Sequence, residues 1–305
     1  MDAIVLNGVT KQFGAHLAVD TLSLRVPTGS LYGFIGPNGS GKTTTLRMIL
    51  HILLPDAGEV EVLGKRDTRA AQDRVGYLPE ERGLYKRMTV RRLLRYFGQL
   101  KGAGGSDLER NIEDWLGTMG LADWADKKID TLSKGMAQKV QFMGAVIARP
   151  ALVILDEPFS GLDPVNADVL KDAVLSLKRN GTTVVFSTHD MGVAEQMCDR
   201  IFMIHKGKKV LDGTLEEIRS RYGNDTIRIR TSDGPSALLG ITGVTEVNDL
   251  GNSQEVRFSG DPQVLLRTLI ERTSVQLFEV AHPSLHDIFV RIAAPGREIS
   301  THVMA

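Results

Sequence analysis

The sequence predicts an α/β domain built on a buried parallel sheet and carrying a helical insert, followed by a small α+β domain. Three observations predict it. The glycine-rich stretch Gly36-Pro37-Asn38-Gly39-Ser40-Gly41-Lys42-Thr43-Thr44 lies between a short apolar run, Leu31-Tyr32-Gly33-Phe34-Ile35, and a helical pattern continuing through residue 50. Apolar runs that end in polar or charged groups recur at 75–78, 151–155 and 182–187, as buried strands do. After Lys209 the chain holds no further lysine, and its pattern becomes one of short strands with two helices.

At 305 residues the chain exceeds what one hydrophobic core usually organises, about 250–300 residues, so two domains are expected. Lysine plus arginine and aspartate plus glutamate number 37 each, and with zero net charge no nucleic-acid partner is expected. A single cysteine, Cys198, excludes an intramolecular disulfide and agrees with a reducing compartment. The opening seven residues lack the basic segment and apolar run of a signal peptide. No apolar stretch approaches the roughly 20 residues that span a bilayer. A cytoplasmic location is expected, with any membrane association made through a partner.

Taken in order, 3–6 and 22–26 read as short strands separated by polar and glycine-containing turns. Phe13 is either a stacking surface for a nucleotide base or a core residue. The alternation at 58–63 is a strand that meets a turn at Gly64, and 75–78 is a strand followed at once by Pro79-Glu80-Glu81. From residue 89 the pattern is helical. Thr89 is an N-cap for a helix through Leu93, Leu94, Phe97 and Leu100, broken at 102–105. Ser106-Asp107-Leu108-Glu109 has capping-box spacing for a second helix, whose apolar face is Leu108, Ile112, Leu116 and Met119. This insert spans about 85–148.

The run 151–155 then delivers Asp156 and Glu157, 182–187 delivers Thr188 and His189, and 200–204 with 209–211 form a closing hairpin. A first domain of 1–220 is expected, with a second over 221–305. Residues 223–305 hold seven arginines and ten acidic residues, leaving 30 basic and 27 acidic elsewhere, so the tail is mildly acidic. Strands at 226–230, 244–248, 255–258 and 275–280, a helix near 262–273 and a final helix from Pro283 make it α+β. His282 and His286 have metal-ligand spacing, but no further ligand accompanies them and no metal site is expected there.

The chemistry gathers on the glycine-rich stretch, which reads as a phosphate-binding loop at a strand-to-helix turn. Gly36, Gly39 and Gly41 let the backbone bend and turn successive N–H groups inward, and the following helix directs its positive end at the same place. Pro37, Asn38 and Ser40 complete the cradle for a nucleoside triphosphate. Lys42 would reach the outer phosphates, Thr43 would ligate Mg²⁺ and Thr44 would contact an inner phosphate. If the strand before Asp156 neighbours the loop's strand, both carboxylates emerge beside the phosphates. Asp156 would then hold Mg²⁺ and its waters, and Glu157 would polarise an attacking water. His189, on the same edge, can donate to a γ-phosphate oxygen.

With Leu132-Ser133-Lys134-Gly135-Met136 before the carboxylates and Ser160-Gly161-Leu162-Asp163 after them, the chain resembles the ATP-binding subunits of ABC transporters over residues 1 to about 220. The resemblance implies a P-loop NTPase fold with a RecA-like core, an antiparallel β subdomain and a helical subdomain. It implies ATP and Mg²⁺ as ligands, with Phe13 as the base-stacking aromatic, Glu157, His189 and Lys42 as catalytic residues, and Thr43, Asp156 and Glu80 on the metal side. ATP would be held between the loop of one subunit and the signature motif of another, so Ser133, Gly135 and Asp163 would act in a homodimer or heterodimer. Transmembrane permease subunits are the implied partners and the inner face of the cell membrane the implied site. The run Pro283-Ser284-Leu285-His286-Asp287-Ile288-Phe289 resembles the end of an accessory domain on export-type ATPase subunits, including sodium-extrusion and drug-export subunits. Export of a cargo the chain does not encode is thereby implied.

Two departures stand out. Glu80 occupies a place where the family usually has glutamine, and Lys134 and Met136 replace the usual glycine and glutamine of the signature. Glu80 can still offer an oxygen but adds negative charge and cannot donate as an amide does. Lys134 either attracts a partner's γ-phosphate or points to solvent. Two rival functions are a soluble ABC ATPase of translation or DNA repair and a low-turnover regulatory nucleotide-binding module. The first commonly carries two ATPase units or long insertions, whereas one phosphate loop and one cysteine stand here.

Overall fold

Two twelve-residue strands, β1 (Asp2–Phe13) and β2 (His16–Pro27), open the chain as an antiparallel hairpin. They are longer than their apolar runs suggest, because the ladder absorbs polar residues through register shifts instead of ending at them. Gly8, at φ +59°, sits inside one such shift. The computed structural model describes residues 1–81, 83–222, 226–281 and 283–293, and divides into two units, Met1–Thr214 and Leu215–Ala305. His282, one half of the spaced histidine pair, lies outside the described residues.

In the first unit β3 (Leu31–Ile35) leads through the glycine-rich loop into α1 (Lys42–Ile49). β4 (Ala57–Val62) returns to the hairpin, giving a three-stranded antiparallel sheet in the order β2-β1-β4. β5 (Val75–Leu78) begins the main sheet and is followed by the helical segment of α2 (Val90–Leu100), α3 (Gly105–Thr118) and α4 (Lys134–Val146). Thr89 caps α2 by accepting from the Arg92 N–H, and the face Leu108, Ile112, Leu116 and Met119 is buried, both as the pattern predicts. The capping box does not form. Residue 106 already lies inside α3, and Glu109 instead makes a fork to Arg95 on α2, with Nη2 to Oε2 at 2.8 Å.

The chain continues through β6 (Leu152–Asp156), α5 (Pro164–Arg179), β7 (Thr183–Thr188), α6 (Met191–Met197), β8 (Arg200–His205) and β9 (Lys208–Gly213). Periodicity does not announce α5, since among its sixteen residues only Leu170, Ala173 and Val174 are buried. The main sheet runs β5-β6-β7-β3-β8-β9, parallel except for β9. β3, β6 and β7 are buried at every residue, which is why they read as unbroken apolar runs. Alternate side chains feed two cores. Val153, Leu155 and Phe186 join the helical segment on one face, whereas Leu152, Ile154 and Val185 join α1 and the β1–β2 hairpin on the other.

The second unit begins with α7 (Leu215–Arg221), then β10 (Thr226–Thr231), β11 (Val244–Asp249), β12 (Gln254–Phe258), α8 (Pro262–Arg272), β13 (Val275–Ala281) and α9 (Leu285–Ala293). Its antiparallel sheet has the order β11-β12-β10-β13. Leu265 and Leu269 of α8 close one face over Ile227, Ile229, Val256 and Phe258. Alternate positions of the strands carry ion pairs, Arg228 with Glu255 and Glu279, and Arg257 with Glu246.

Candidate functional site

The turn from β3 into α1 cannot be built with side chains at two of its glycines. A Cβ on Gly36 would fall 2.3 Å from the Ile204 carbonyl oxygen. Gly41 sits at φ +109°, where a Cβ would also fall 2.6 Å from the Ala18 carbonyl oxygen. No side chain caps α1, so its first N–H groups are left to the concavity of the loop. Lys42 turns back over that concavity, donating from Nζ to the carbonyl oxygens of Gly36 at 2.7 Å and Pro37 at 3.2 Å.

β6 is not beside β3: β7 lies between them. The carboxylates reach the loop nonetheless, because the loop crosses the end of β7, with Gly36 N–H donating to the Thr188 carbonyl oxygen. The Thr43 hydroxyl donates to Asp156 Oδ1 at 3.4 Å. Ser187, opposite Asp156 in the β6–β7 register, donates from Oγ to the same oxygen, and its Oγ and carbonyl oxygen both accept from the Glu157 N–H. That grip holds Glu157 at φ +48°, a left-handed conformation unusual for a side chain of this size. Its carboxylate lies 3.7 Å from Lys42 Nζ and 3.0 Å from His189 Nδ1.

Asp156 is fully buried and its Oδ2 has no hydrogen-bond partner among the described residues; the buried Ser40 hydroxyl is likewise unpartnered. An unmatched buried carboxylate oxygen beside a threonine hydroxyl fits a divalent cation, and the unpartnered hydroxyl with a ring of free N–H groups fits a polyphosphate. The residues present therefore suit Mg²⁺ and a nucleoside triphosphate. Burial pulls the Lys42 ammonium below its usual pKa, while Glu157, Asp156 and Glu80 oppose that pull and keep a cation favourable there.

A cavity of about 370 Å³ joins the loop residues Asn38 to Thr44 with Phe13, His16, Ala18, Glu80 and Glu157. Phe13 is 48% exposed and so is not a core residue; Lys11 Nζ, paired with Asp56, lies 5.6 Å from its ring centre. A larger cavity of about 970 Å³ touches Arg74, Ala151 and Thr182, the residues that precede β5, β6 and β7. It holds no residue of the loop, so chemistry and not size locates the site.

Ser133, Gly135 and Asp163 are not brought to the loop's cavity. Ser133 caps α4, accepting from the Met136 N–H at 3.2 Å, and Asp163 caps α5, accepting from the Asn166 backbone and side-chain N–H groups. These bonds, the backbone one first, hold the Asp163 carboxyl below its usual pKa. The Asn166 amide also packs at Gly135, and Lys134 Nζ lies 3.0 Å from where a Gly161 Cβ would stand. The signature stretch and 160–163 thus form one cluster of their own. Sequence reasoning missed Ser187 and His16, and also Gln138 and Gln141, which donate to the carbonyl oxygens of Pro158 and of Pro79 and Glu81. Strand register brings Ser187 and His16 to the site, whereas the two glutamines reach only the backbone next to Glu157 and Glu80.

Residues 19–160 match the ABC transporter family, and 213–293 match the DrrA1-3-like C-terminal domain of ATP-binding proteins. The chain is 39% identical over 289 residues to an ABC transporter ATP-binding protein, YhaQ, of Bacillus subtilis, covering 94% of this chain and 97% of that one. It is 32% identical to the daunorubicin resistance ATP-binding protein DrrA3 of Streptomyces coeruleorubidus, over 97% of this chain and 98% of that one. It is 33% identical to the Nod factor export ATP-binding protein I of Burkholderia lata, again over 97% and 98%. A solved ATP-binding subunit of an ABC transporter superposes with a TM-score of 0.69 at 29% identity, covering 72% of this chain and 93% of that one. Similarity along nearly the whole length, together with a loop and a carboxylate pair suited to Mg²⁺ and a triphosphate, means that this chain belongs to the ATP-binding subunits of ABC transporters, ATPases coupled to transport.

Proposed function

We propose that this subunit powers export through separate permease subunits, with Glu157 as the general base for ATP hydrolysis. The observation that carries the catalytic part is the position of Glu157: a nearly buried carboxylate between the Lys42 ammonium and the His189 imidazole. In hydrolysis the water oxygen would bond to the γ-phosphorus of ATP as the bond to the ADP leaving group breaks, and Mg²⁺, when bound, would supply neutralising charge to the phosphate oxygens. Glu157 accepts a proton from water, and His189, half-exposed and hydrogen-bonded to it, orients it from the solvent side. Lys42 and the loop N–H groups would hold the phosphates, Thr43 and Asp156, already joined to each other, would hold the cation, and Phe13, on the cavity wall, would stack on the base. Glu80, exposed at the cavity wall, offers a further oxygen toward the metal.

Ser133, Gly135 and Asp163 lie in a cluster apart from the loop's cavity, which supports a role toward a second copy's nucleotide in a homodimer or heterodimer. The direction of transport rests on the relatives named for daunorubicin resistance and Nod factor export. No helix among the described residues is long and apolar enough to cross a membrane, and this supports a peripheral place on permeases at the inner membrane face. The second unit is read as an accessory domain for regulation or dimer support.

The test is a mild-detergent pull-down of tagged Glu157→Gln protein with Mg-ATP. Recovery of a multi-spanning membrane protein supports the reading. Recovery of ribosomes or DNA-repair proteins, with no membrane protein, would replace it with a soluble ABC ATPase.

A further inference from the structure

We infer that His16 recognises the sugar hydroxyls of the bound nucleotide and selects ribonucleotides over deoxyribonucleotides. The inference rests on the nucleotide reading of the loop's cavity and goes beyond the motifs, none of which includes this residue. One wall of that cavity is the end of the β1–β2 hairpin, contributing Phe13, His16 and Ala18. Phe13 and His16 are direct cross-strand partners, which sets their side chains next to each other. Two residues further along β2, about 7 Å on, Ala18 abuts the phosphate loop at Gly41.

The order along this wall therefore matches the order of a nucleotide. A base on Phe13 and phosphates in the loop leave the sugar to pass the residue beside Phe13 on the loop's side, and that residue is His16. Among the three hairpin side chains it alone can hydrogen bond. It is exposed to the cavity, and among the described residues no side chain pairs with it, so both ring nitrogens are open to a hydroxyl. Phe13 has no hydroxyl of its own and contributes only its ring face, which leaves recognition between base and phosphate to the imidazole.

Equilibrium binding of ATP, 2′-deoxy-ATP and 3′-deoxy-ATP to the wild-type chain, His16→Ala and His16→Gln tests this without turnover. The wild-type protein should prefer ATP over at least one deoxy form by about three- to tenfold, the worth of one uncharged hydrogen bond. His16→Ala should bind ATP that much more weakly and lose the preference, and His16→Gln, which keeps a donor and an acceptor, should restore part of it. Equal binding of all three nucleotides by the wild-type protein would overturn the inference. So would a His16→Ala variant that keeps the preference or weakens all three equally, since either places the imidazole's contact elsewhere. A wild-type protein that bound none of the three would instead overturn the nucleotide reading itself.

Discussion

His189 Nδ1 lies 3.0 Å from Glu157 Oε1, joining a half-exposed imidazole to a carboxylate that is only 7% exposed across the ends of two adjacent strands. Glu157 thus faces a cation on its inner side and a solvent-linked base on its outer side. Glu157→Gln keeps the shape and loses the proton acceptor. Hydrolysis should fall by about 10²–10⁴ while nucleotide binding persists, measured as phosphate release against fluorescent-nucleotide titration. Near-normal turnover would move the general base to another residue.

Lys42→Ala removes the cation that the loop folds around itself. If the ammonium serves the outer phosphates, as proposed above, ATP affinity should drop at least tenfold, with a smaller loss for nucleotides that lack the outer phosphate. Unchanged ATP binding by calorimetry would contradict the phosphate-loop assignment.

Gly33→Ala probes the close packing beneath the loop, since a Cβ there would stand 2.6 Å from Cys198 Sγ. Overpacking of this kind costs about 1–3 kcal/mol. Adding Cys198→Ala opens the space and should recover most of the loss, read from urea midpoints of the single and double variants. No recovery in the double variant would place the strain elsewhere on β3.

Tyr77, one strand from Asp156, has its phenol pushed up to about 12, chiefly by burial and further by the Asp156 charge. In the unfolded chain the same group ionises near its ordinary value of 10.0. Between those two values the unfolded state has released a proton that the folded state keeps, so stability falls as pH rises through the window; below it both states are protonated and the group contributes no slope. The urea midpoint should decline less steeply from pH 9.5 to 11.5 in Tyr77→Phe than in the wild-type protein. Identical slopes would show that the phenol stays accessible.

Much of the site was legible because its chemistry is local. The bends at Gly36 and Gly41, the donors of the following helix, and Lys42, Thr43 and Thr44 lie in one nine-residue stretch, so their spacing alone suggests a phosphate cradle, and the structure keeps the tight bends and the uncapped helix start that such a cradle needs. The buried strands were legible for a similar reason: a strand covered on both faces must be apolar at nearly every position, as β3 and β6 are. Local spacing misled where a side chain had a better partner elsewhere. Ser106 and Glu109 have the pattern of a cap, yet Glu109 is taken by Arg95 on the neighbouring helix.

Strand order was the larger surprise. Nothing in the sequence says that β7 runs between the loop's strand and the strand of Asp156, and that insertion makes Ser187 the clamp on both Asp156 and Glu157. The same holds for His16, whose neighbourhood with Phe13 and the loop comes from hairpin register and from Ala18 packing at Gly41. Residue types and short-range spacing specify which groups can bind phosphate, cation and water, because those requirements are met within a turn or a strand end. Which of them meet is set by contacts between residues far apart in the chain, and these exist only once the sheet has closed around its two cores.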